Sequence, residues 1–576
     1  MPYFDQARSL GHLFQLSCQH WGDKTALLVG SDRGRTPVSY SELYREAYRY
    51  AAALASYGVQ RGDKVCIFSE NCPEWALTDW GAHTLGVCLV PIYPSLPGDQ
   101  AEYIIRDCGA KLVIVGSEEL RKKLDGLTAV PMTMLKGDAD SIESKLADPG
   151  LTFEAWEQGI ALPTLDDQAT IIYTSGTTGD PKGAVLPNRA FVEMVRSVKK
   201  GMPVSENDTF LSFLPLSHVY ERADGHIMPI CIGATIGYVR SLATISADFL
   251  EVRPTVMLIV PRFLESLKDK ILDGLKKAPP VRQKLFHLAL AQGTARLNGG
   301  FAPLAGLTNK VVAAKIRDRV GGRLRYFCSG GMALPMHIHE FFGAFGLPVL
   351  QGYGLTETCS GMCFNQIERN RPHTVGEALP GVEIKIADDG EILIRSPFNM
   401  SGYYNLPEAT SAAIDAEGWF HTGDIGEFED KTFLKITDRK KDILVLGNGK
   451  NVAPQRIEDR LRGSKYIAEA VLFGDSQSYV AGLIVPNFEN LESFCKSLGL
   501  KIDEPERMLQ LDPIRKLIKD EIAAVNKTLA DFEKVKNFEL INAKFSIETG
   551  ELTPSLKVKR KVIKERYSDL ITGLFR

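Results

Sequence analysis

YTSGTTGDPKG, Tyr173–Gly183, is the stretch on which the reading of this chain turns. Four small hydroxyl residues, three glycines and one lysine lie between an apolar strand-like run, Ala169 to Ile172, and a helical pattern that begins near Asn188. A loop this small offers backbone N–H groups, hydroxyls and an ammonium to phosphate oxygens, with no bulk in the way. It departs from the usual nucleotide loop, because Lys182 is followed by Gly183 rather than Ser or Thr, and the four-residue gap between glycines is absent. Taken alone, it is also readable as a flexible Gly/Ser turn.

On both sides of this loop, short apolar runs alternate with helical patterns. VCIFSE (Val65 to Glu70), LVIVGS (Leu112 to Ser117), TFLSFLP (Thr209 to Pro215), TVMLIVP (Thr255 to Pro261) and RYFCSG (Arg325 to Gly330) are continuous apolar strands. Such strands separated by helices predict buried, mainly parallel sheets. After about Gly376 the runs become short, alternating and close together, as in VEIKIA, EILIRS and FLKITD, which predicts a small antiparallel barrel or sheet. From about Lys440 the remainder reads as a compact α+β domain. The expected division is 1–439 and 440–576.

At 576 residues the chain is too long for one core, so two or more domains are expected. It is 44% apolar and 24% charged with a net charge of −3, the balance of an ordinary soluble enzyme, which gives no case for nucleic acid as a partner. The ten cysteines include no C-x-x-C pair, and Cys359 and Cys363, four apart, read as packing residues. Reduced thiols fit a cytoplasmic protein. The opening MPYFDQARSLGHLFQL has no basic segment followed by an apolar one, so no signal peptide is expected. No run of about 18 uncharged apolar residues predicts a spanning helix; the nearest, Trp75 to Tyr93, is interrupted by Asp79 and His83.

The stretch Arg262 to Lys284 stands apart. Phe263, Leu264, Leu267, Ile271 and Leu275 fall near one helical face, and seven basic residues accompany three acidic ones. Two readings are open: peripheral contact with anionic lipid at the inner face of a membrane, or an amphipathic helix packed on the domain with a solvated basic side.

Six segments, in order, carry a family resemblance over about Asp23 to Arg566. They are YTSGTTGDPKG, LPLSHVYER (Leu214 to Arg222), QGYGLTET (Gln351 to Thr358), WFHTGD (Trp419 to Asp424), ITDRKKD (Ile436 to Asp442) and LTPSLKVKRK (Leu552 to Lys561). The chain resembles the AMP-forming acyl-CoA synthetases of the adenylate-forming superfamily. ITDRKKD followed by GKNVAPQRIED, and the insert between Pro261 and Leu324, look most like the long-chain fatty-acid branch. The resemblance implies an α/β fold: a large N-terminal domain of parallel sheets with the antiparallel part, and a smaller, mobile α+β lid.

The implied chemistry joins a fatty acid, ATP and CoA with the help of Mg²⁺. A carboxylate must approach a triphosphate, and two unit charges 4 Å apart repel by about 4 kcal/mol at an effective dielectric of 20. The site must therefore supply donors and positive charge beforehand. By resemblance, Thr174, Ser175, Gly176, Thr177, Thr178 and Lys182 hold the β- and γ-phosphates, with Glu357 and Thr177 toward Mg²⁺. Gln351, Gly352, Tyr353, Gly354 and Thr356 face adenine and its phosphates. Asp424 and Arg439 take the ribose, a carboxylate being a natural acceptor for two adjacent hydroxyls. His218 stands near the α-phosphate and the acyl entrance, and Gly330, Gly331 and Met332 leave room for an acyl tunnel.

Lys557 matches the lysine that reaches both the carboxylate and the α-phosphate during adenylation. Many members carry Gly before this lysine whereas Leu556 stands here, and Lys559, Arg560 and Lys561 follow closely, so a register two residues later is the competing assignment. Lys441 is the implied hinge about which the lid turns between half-reactions, and the glycines of Gly447 to Asn451 are placed to shape the face offered to CoA. The leading expectation is a long-chain fatty-acid–CoA ligase. The alternative is an acyl-AMP ligase that delivers to a carrier protein. Self-association is left open.

Overall fold

The computed structural model describes residues 1–31, 34–147, 150–174, 180–500, 504–546, 549–553 and 558–576. Its described strands form two large sheets and two small ones. The first large sheet runs, in neighbour order, Gly402–Tyr403, Lys182–Pro187, Gln168–Thr174, Cys88–Ile92, Lys64–Phe68, Leu112–Val115 and Met132–Met134. Its last five strands are parallel. Lys64–Phe68 shows why these strands read as unbroken apolar runs. Val65 and Ile67 enter one core with Trp75 and Trp80, while Cys66 and Phe68 enter another with Ile104 and Ile105. Both faces are covered, so period-two alternation has no polar side to show.

The second large sheet holds a parallel half, with neighbours Val349–Leu355, Tyr326–Ser329, Val256–Ile259, Thr209–Ser212, Thr235–Tyr238 and Thr25–Ser31. The antiparallel strands expected after Gly376 are present as Glu383–Ile386, Glu391–Arg395, Phe420–Glu429 and Phe433–Arg439. They do not stand apart. Val349–Leu355 bonds in parallel on one side and folds back on Ser360–Phe364 on the other, and the antiparallel half continues from that hairpin. The junction between the two halves therefore falls on QGYGLTET.

A separate C-terminal domain completes the chain. Ile467–Phe473 lies antiparallel to Val480–Pro486, which lies parallel to Val535–Leu540. One face of this sheet packs Leu472 and Ile484 with Ile457, Leu461 and Ile518; the other packs Val471 and Leu483 with Ile563 and Leu574.

Two polar interruptions have structural uses. Asp79 and His83 lie on helix Pro73–Leu85 and are buried beside Arg222, which is fully buried. The Arg222 guanidinium donates to both Asp79 carboxylate oxygens and to Thr170 Oγ1 at 2.7 Å. Burial alone would push the Asp79 carboxyl up, but Arg222 and His83 outweigh it and hold the group well below the usual range. This pair fixes LPLSHVYER against the strand that ends at Thr174.

The helix Pro261–Lys276 turns its apolar side inward: Leu264 is fully buried, and Phe263, Leu267, Ile271 and Leu275 pack on the same core. Its first arginine, Arg262, is ion-paired with Glu469 of the C-terminal domain. The apolar side chains that suggested a lipid-facing helix are thus taken up by packing. Among the described residues, no helix is long and apolar enough to cross a membrane.

Candidate functional site

Thr174 and Lys182 pair across antiparallel strands, with Thr174 Oγ1 donating to the Lys182 carbonyl at 3.4 Å. The two ends of the expected phosphate loop are therefore pinned opposite each other. Ser175, Gly176, Thr177 and Thr178 lie outside the described residues.

Glu357 occupies the short turn Thr356–Thr358, where the Thr356 carbonyl accepts the Cys359 N–H. Its carboxylate accepts a hydrogen bond from Tyr403 Oη at 2.9 Å, and its carbonyl accepts from Met400 N at 2.7 Å. The Lys182 ammonium stands over the Tyr403 ring, 5.2 Å from its centroid. Tyr403 is held there by the pairing of Gly402–Tyr403 with Lys182–Pro187. One aromatic side chain thus links the expected phosphate lysine to the expected metal carboxylate. No sequence motif singled it out, since a two-residue strand carries no periodicity.

The turn around Glu357 is tight. Cys359 and Ser360 have φ of 50° and 83°, left-handed values that L-residues rarely adopt. A Cβ on Gly354 would come within 1.6 Å of the Ser360 carbonyl oxygen, so that position accepts only glycine. Ser360 Oγ donates to the buried Asp224 carboxylate. Cys359 and Cys363 are buried packing residues, as expected.

Tyr353, Asp424 and Arg439 form a second group. Tyr353 Oη donates to Asp424 at 2.7 Å, Arg439 Nε is ion-paired with the other oxygen at 2.9 Å, and Asp424 and Arg439 are paired residues on neighbouring strands. Burial works against the charge on Arg439, but Asp424 outweighs it and its pKa is raised; Glu357 is near enough to contribute. Gln351 is committed elsewhere: its oxygen accepts Leu334 N at 2.9 Å and its nitrogen donates to the Pro372 carbonyl. It therefore anchors the loop after Gly330 beside the hairpin. A Cβ on Gly352 would meet the Cys363 carbonyl oxygen at 3.2 Å and the Phe364 ring at 3.3 Å.

His218 Nδ1, expected on the acyl side, accepts the Tyr220 N–H at 3.1 Å, so a neutral ring carries its proton on Nε2. Tyr220 Oη donates to the Cys328 carbonyl, and its ring fills the space that a Cβ on Gly330 would enter at 3.0 Å. Gly331 is exposed with φ of 81°, and Met332 is half-buried. The helical segment Glu221–Ile227 holds two buried carboxyls. Burial pushes Glu221 up to about 8 and Asp224 up to about 7.

Lys557 lies outside the described residues. Beside it, Leu552 bridges Val558, and Lys559 N donates to the Glu551 carbonyl at 2.7 Å. Arg560 donates through both terminal nitrogens to Glu458 and to the Leu472 carbonyl, so Lys559 is the competitor that stays open. Lys441 is exposed, and the preceding Lys440 is held by Asp389 at 2.6 Å and Glu391 at 2.9 Å.

Comparison with known proteins gives a consistent picture. Residues 14–404 match the AMP-binding enzyme family, and residues 441–576 match the AMP-binding enzyme C-terminal domain. The chain is 32% identical over 564 residues to long-chain-fatty-acid–CoA ligase FadD15 of Mycobacterium bovis, covering 94% of this chain and 92% of that one. It is 30% identical to the peroxisomal long chain acyl-CoA synthetase 6 of Arabidopsis thaliana, covering 94% and 81%. The ATP-bound MatB of Rhodopseudomonas palustris shares the fold with a TM-score of 0.75, 22% identity, and coverage of 98% and 99%.

Proposed function

The chain belongs to the AMP-binding enzyme family, and we propose that it is a long-chain fatty-acid–CoA ligase acting in two half-reactions. A fatty-acid carboxylate oxygen attacks the α-phosphorus of ATP, the bond to the β-phosphate oxygen breaks, and pyrophosphate leaves. The CoA thiol, losing its proton, then attacks the acyl carbonyl, and AMP leaves with the electron pair of the anhydride bond.

The observation that carries the first step is the meeting of two groups at one sheet junction. Tyr353, Asp424 and Arg439 offer a ribose site, and Lys182 and Glu357, joined through Tyr403, offer charge and a hard oxygen donor beside it. Among the described residues, no three His, Cys, Asp or Glu side chains converge on a metal position. Mg²⁺ suits such a site, since it binds through one or two carboxylates and the substrate phosphates. Glu357 would hold it, with Thr177 as the second expected ligand. Bound there, the ion neutralises phosphate charge. Ser175, Gly176, Thr178, Gly352, Gly354 and Thr356 keep their assignment to the nucleotide, Gln351 anchors the loop after Gly330 instead of touching the nucleotide, and His218, Gly330, Gly331 and Met332 keep theirs to the acyl group. Lys557 provides the ammonium of the adenylation step.

In this reading 1–439 and 440–576 are two bodies, and the second turns about Lys441 between steps. The anchoring of Lys440 to Asp389 and Glu391 supports a pivot just after it. Each buried CH₂ contributes about 0.8 kcal/mol, so a closed apolar tunnel favours long acids over acetate. A cytoplasmic location belongs to the same proposal.

The test is a series of carboxylic acids from acetate to long chains, scored separately for AMP release and for CoA thioester. Thioester formation that rises with chain length is the expected result. AMP release without any CoA thioester would replace the reading with delivery to a carrier protein.

A further inference from the structure

The turn that carries Glu357 is held from a distant part of the chain. Cys359 and Ser360 both sit at left-handed φ, a conformation that persists in L-residues only where the surroundings enforce it. Inside the turn, Thr358 Oγ1 accepts the Leu355 N–H at 2.8 Å and lies 3.2 Å from the Ser360 carbonyl oxygen. The Ser360 hydroxyl reaches out of the turn and donates to Asp224, 136 residues earlier. Asp224 is buried, and its other carboxylate oxygen has no hydrogen-bond partner among the described residues. The service that this carboxyl performs is therefore to Ser360.

Asp224 belongs to the segment that follows His218. The Arg222 N–H donates to the His218 carbonyl at 3.0 Å. The helical turn then widens: the Met228 N–H reaches the Ala223 carbonyl, five residues back rather than four. Widened turns of this kind are frequent at functional sites. Tyr220 stands one turn before Asp224, at the spacing that puts two side chains on one helical side. Its ring closes on Gly330, where the acyl group is expected, and its hydroxyl donates to the Cys328 carbonyl at 2.8 Å. One short segment thus touches the expected acyl wall through Tyr220 and the Glu357 turn through Asp224.

We propose that Asp224 is a positioning residue, which holds the Glu357 turn in its working shape and couples that turn to occupancy of the acyl site. The inference rests on the ligase reading, since Glu357 enters it as the Mg²⁺ carboxylate. Asp224 acts through Ser360. Without the acceptor, Ser360 relaxes toward an ordinary φ, and Glu357, three residues away, shifts with it. An acid that presses on Tyr220 moves the same segment. Acid and Mg²⁺·ATP then favour one arrangement together, and such coupling is reciprocal.

The probe is α,β-methylene-ATP, whose P–C–P bridge cannot release pyrophosphate. It is titrated by calorimetry into full-length protein with Mg²⁺, with and without palmitate. Palmitate should tighten binding to the parent about 5-fold. Asp224→Ala, and separately Ser360→Ala, should weaken binding about 10-fold and abolish the palmitate effect. Asp224→Asn, which keeps an acceptor oxygen, should stay close to the parent. In Mg²⁺-free buffer with EDTA, parent and variants should agree. The sharpest variant is Asp224→Ala/Ser360→Gly, because glycine holds a φ of 83° unaided. Tight binding should return in it while the palmitate effect stays lost. A general folding defect would not be cured by removing a second side chain. Loss of binding that glycine does not restore, single variants that bind as the parent does, or a parent indifferent to palmitate would overturn the proposal. A parent that binds no analogue at all would overturn the ligase reading with it, which sets the two failures apart.

Discussion

At the scale of single residues, Tyr403 has the most contacts with the expected chemistry. Its hydroxyl holds Glu357, and its ring lies under Lys182. A hydrogen bond to a charged group contributes about 1.5–3 kcal/mol. Tyr403→Phe should therefore raise the apparent KM for Mg²⁺·ATP about 10-fold and leave the KM for the fatty acid unchanged, read by steady-state kinetics at varied Mg²⁺. An equal change in both constants would mean that the hydroxyl supports folding rather than the metal site. Lys557 yields a second prediction. Arg560 is bound to Glu458, so the competition lies between Lys557 and Lys559. Lys557→Ala should slow adenylation about 10²- to 10³-fold, the usual loss for one preorganised donor. Thioester formation from synthetic acyl-adenylate should persist. If Lys559→Ala does the damage, the assignment moves by two residues. Sequence motifs pointed to Asp424 and Arg439, and the strand register puts them side by side. Tyr403 escaped because its meaning comes from a long-range pairing with Lys182–Pro187 that leaves no local pattern.

At the scale of elements, the strands most legible in the sequence are those buried on both faces, because a continuous apolar run between helices is hard to place anywhere but inside a covered sheet. The junction of the parallel and antiparallel halves was not legible, since hairpins and crossovers can join the same runs in more than one order. Nor was the use of Asp79 and His83, which looked like interruptions of an apolar stretch. Asp79 is instead the counter-charge of Arg222, and His83 sits against the same carboxylate. Removing one partner of a buried pair costs about 3–5 kcal/mol, whereas replacing both by apolar groups is often neutral. Asp79→Ala should thus lose stability of that order in urea melts, and Asp79→Leu/Arg222→Met should recover most of it. A double variant no more stable than the single one would argue against an uncompensated charge as the cause. The helical segment Glu221–Ile227 adds a pH dependence. Glu221 titrates at about 8 in the folded chain against a reference of 4.5. Between these values the folded state keeps a proton that the unfolded state has released, so stability falls as pH rises through the window and is fully reduced above about 8. Glu221→Gln removes this group's slope. The Tm of the variant should gain on that of the parent between pH 6 and pH 8.5, and parallel melting curves would exclude the effect.

At the scale of the whole molecule, the question is how one chain presents two different surroundings to one acyl group. The motifs announced a lid and a pivot, but no sequence pattern could say which residues the lid touches. Lys440 is tied to Asp389 and Glu391 on the N-terminal side, while across the divide Arg262 is paired with Glu469, which Arg462 also approaches at 3.6 Å. If the C-terminal domain turns about Lys441, Arg262 and Glu469 meet in one arrangement and part in the other. The pair is partly exposed and contributes about 0.2–1 kcal/mol, enough to bias two arrangements by up to about 5-fold. Arg262→Ala and Glu469→Ala should each slow one half-reaction by such a factor and leave the other unchanged or faster. The double variant should be no worse than either single one, because the same contact is lost only once. ATP–pyrophosphate exchange reads adenylation, and thioester formation from synthetic acyl-adenylate reads the second step. A uniform loss in both assays would show that the contact only holds the fold together, whereas opposite shifts would identify it as a latch on one of two working arrangements.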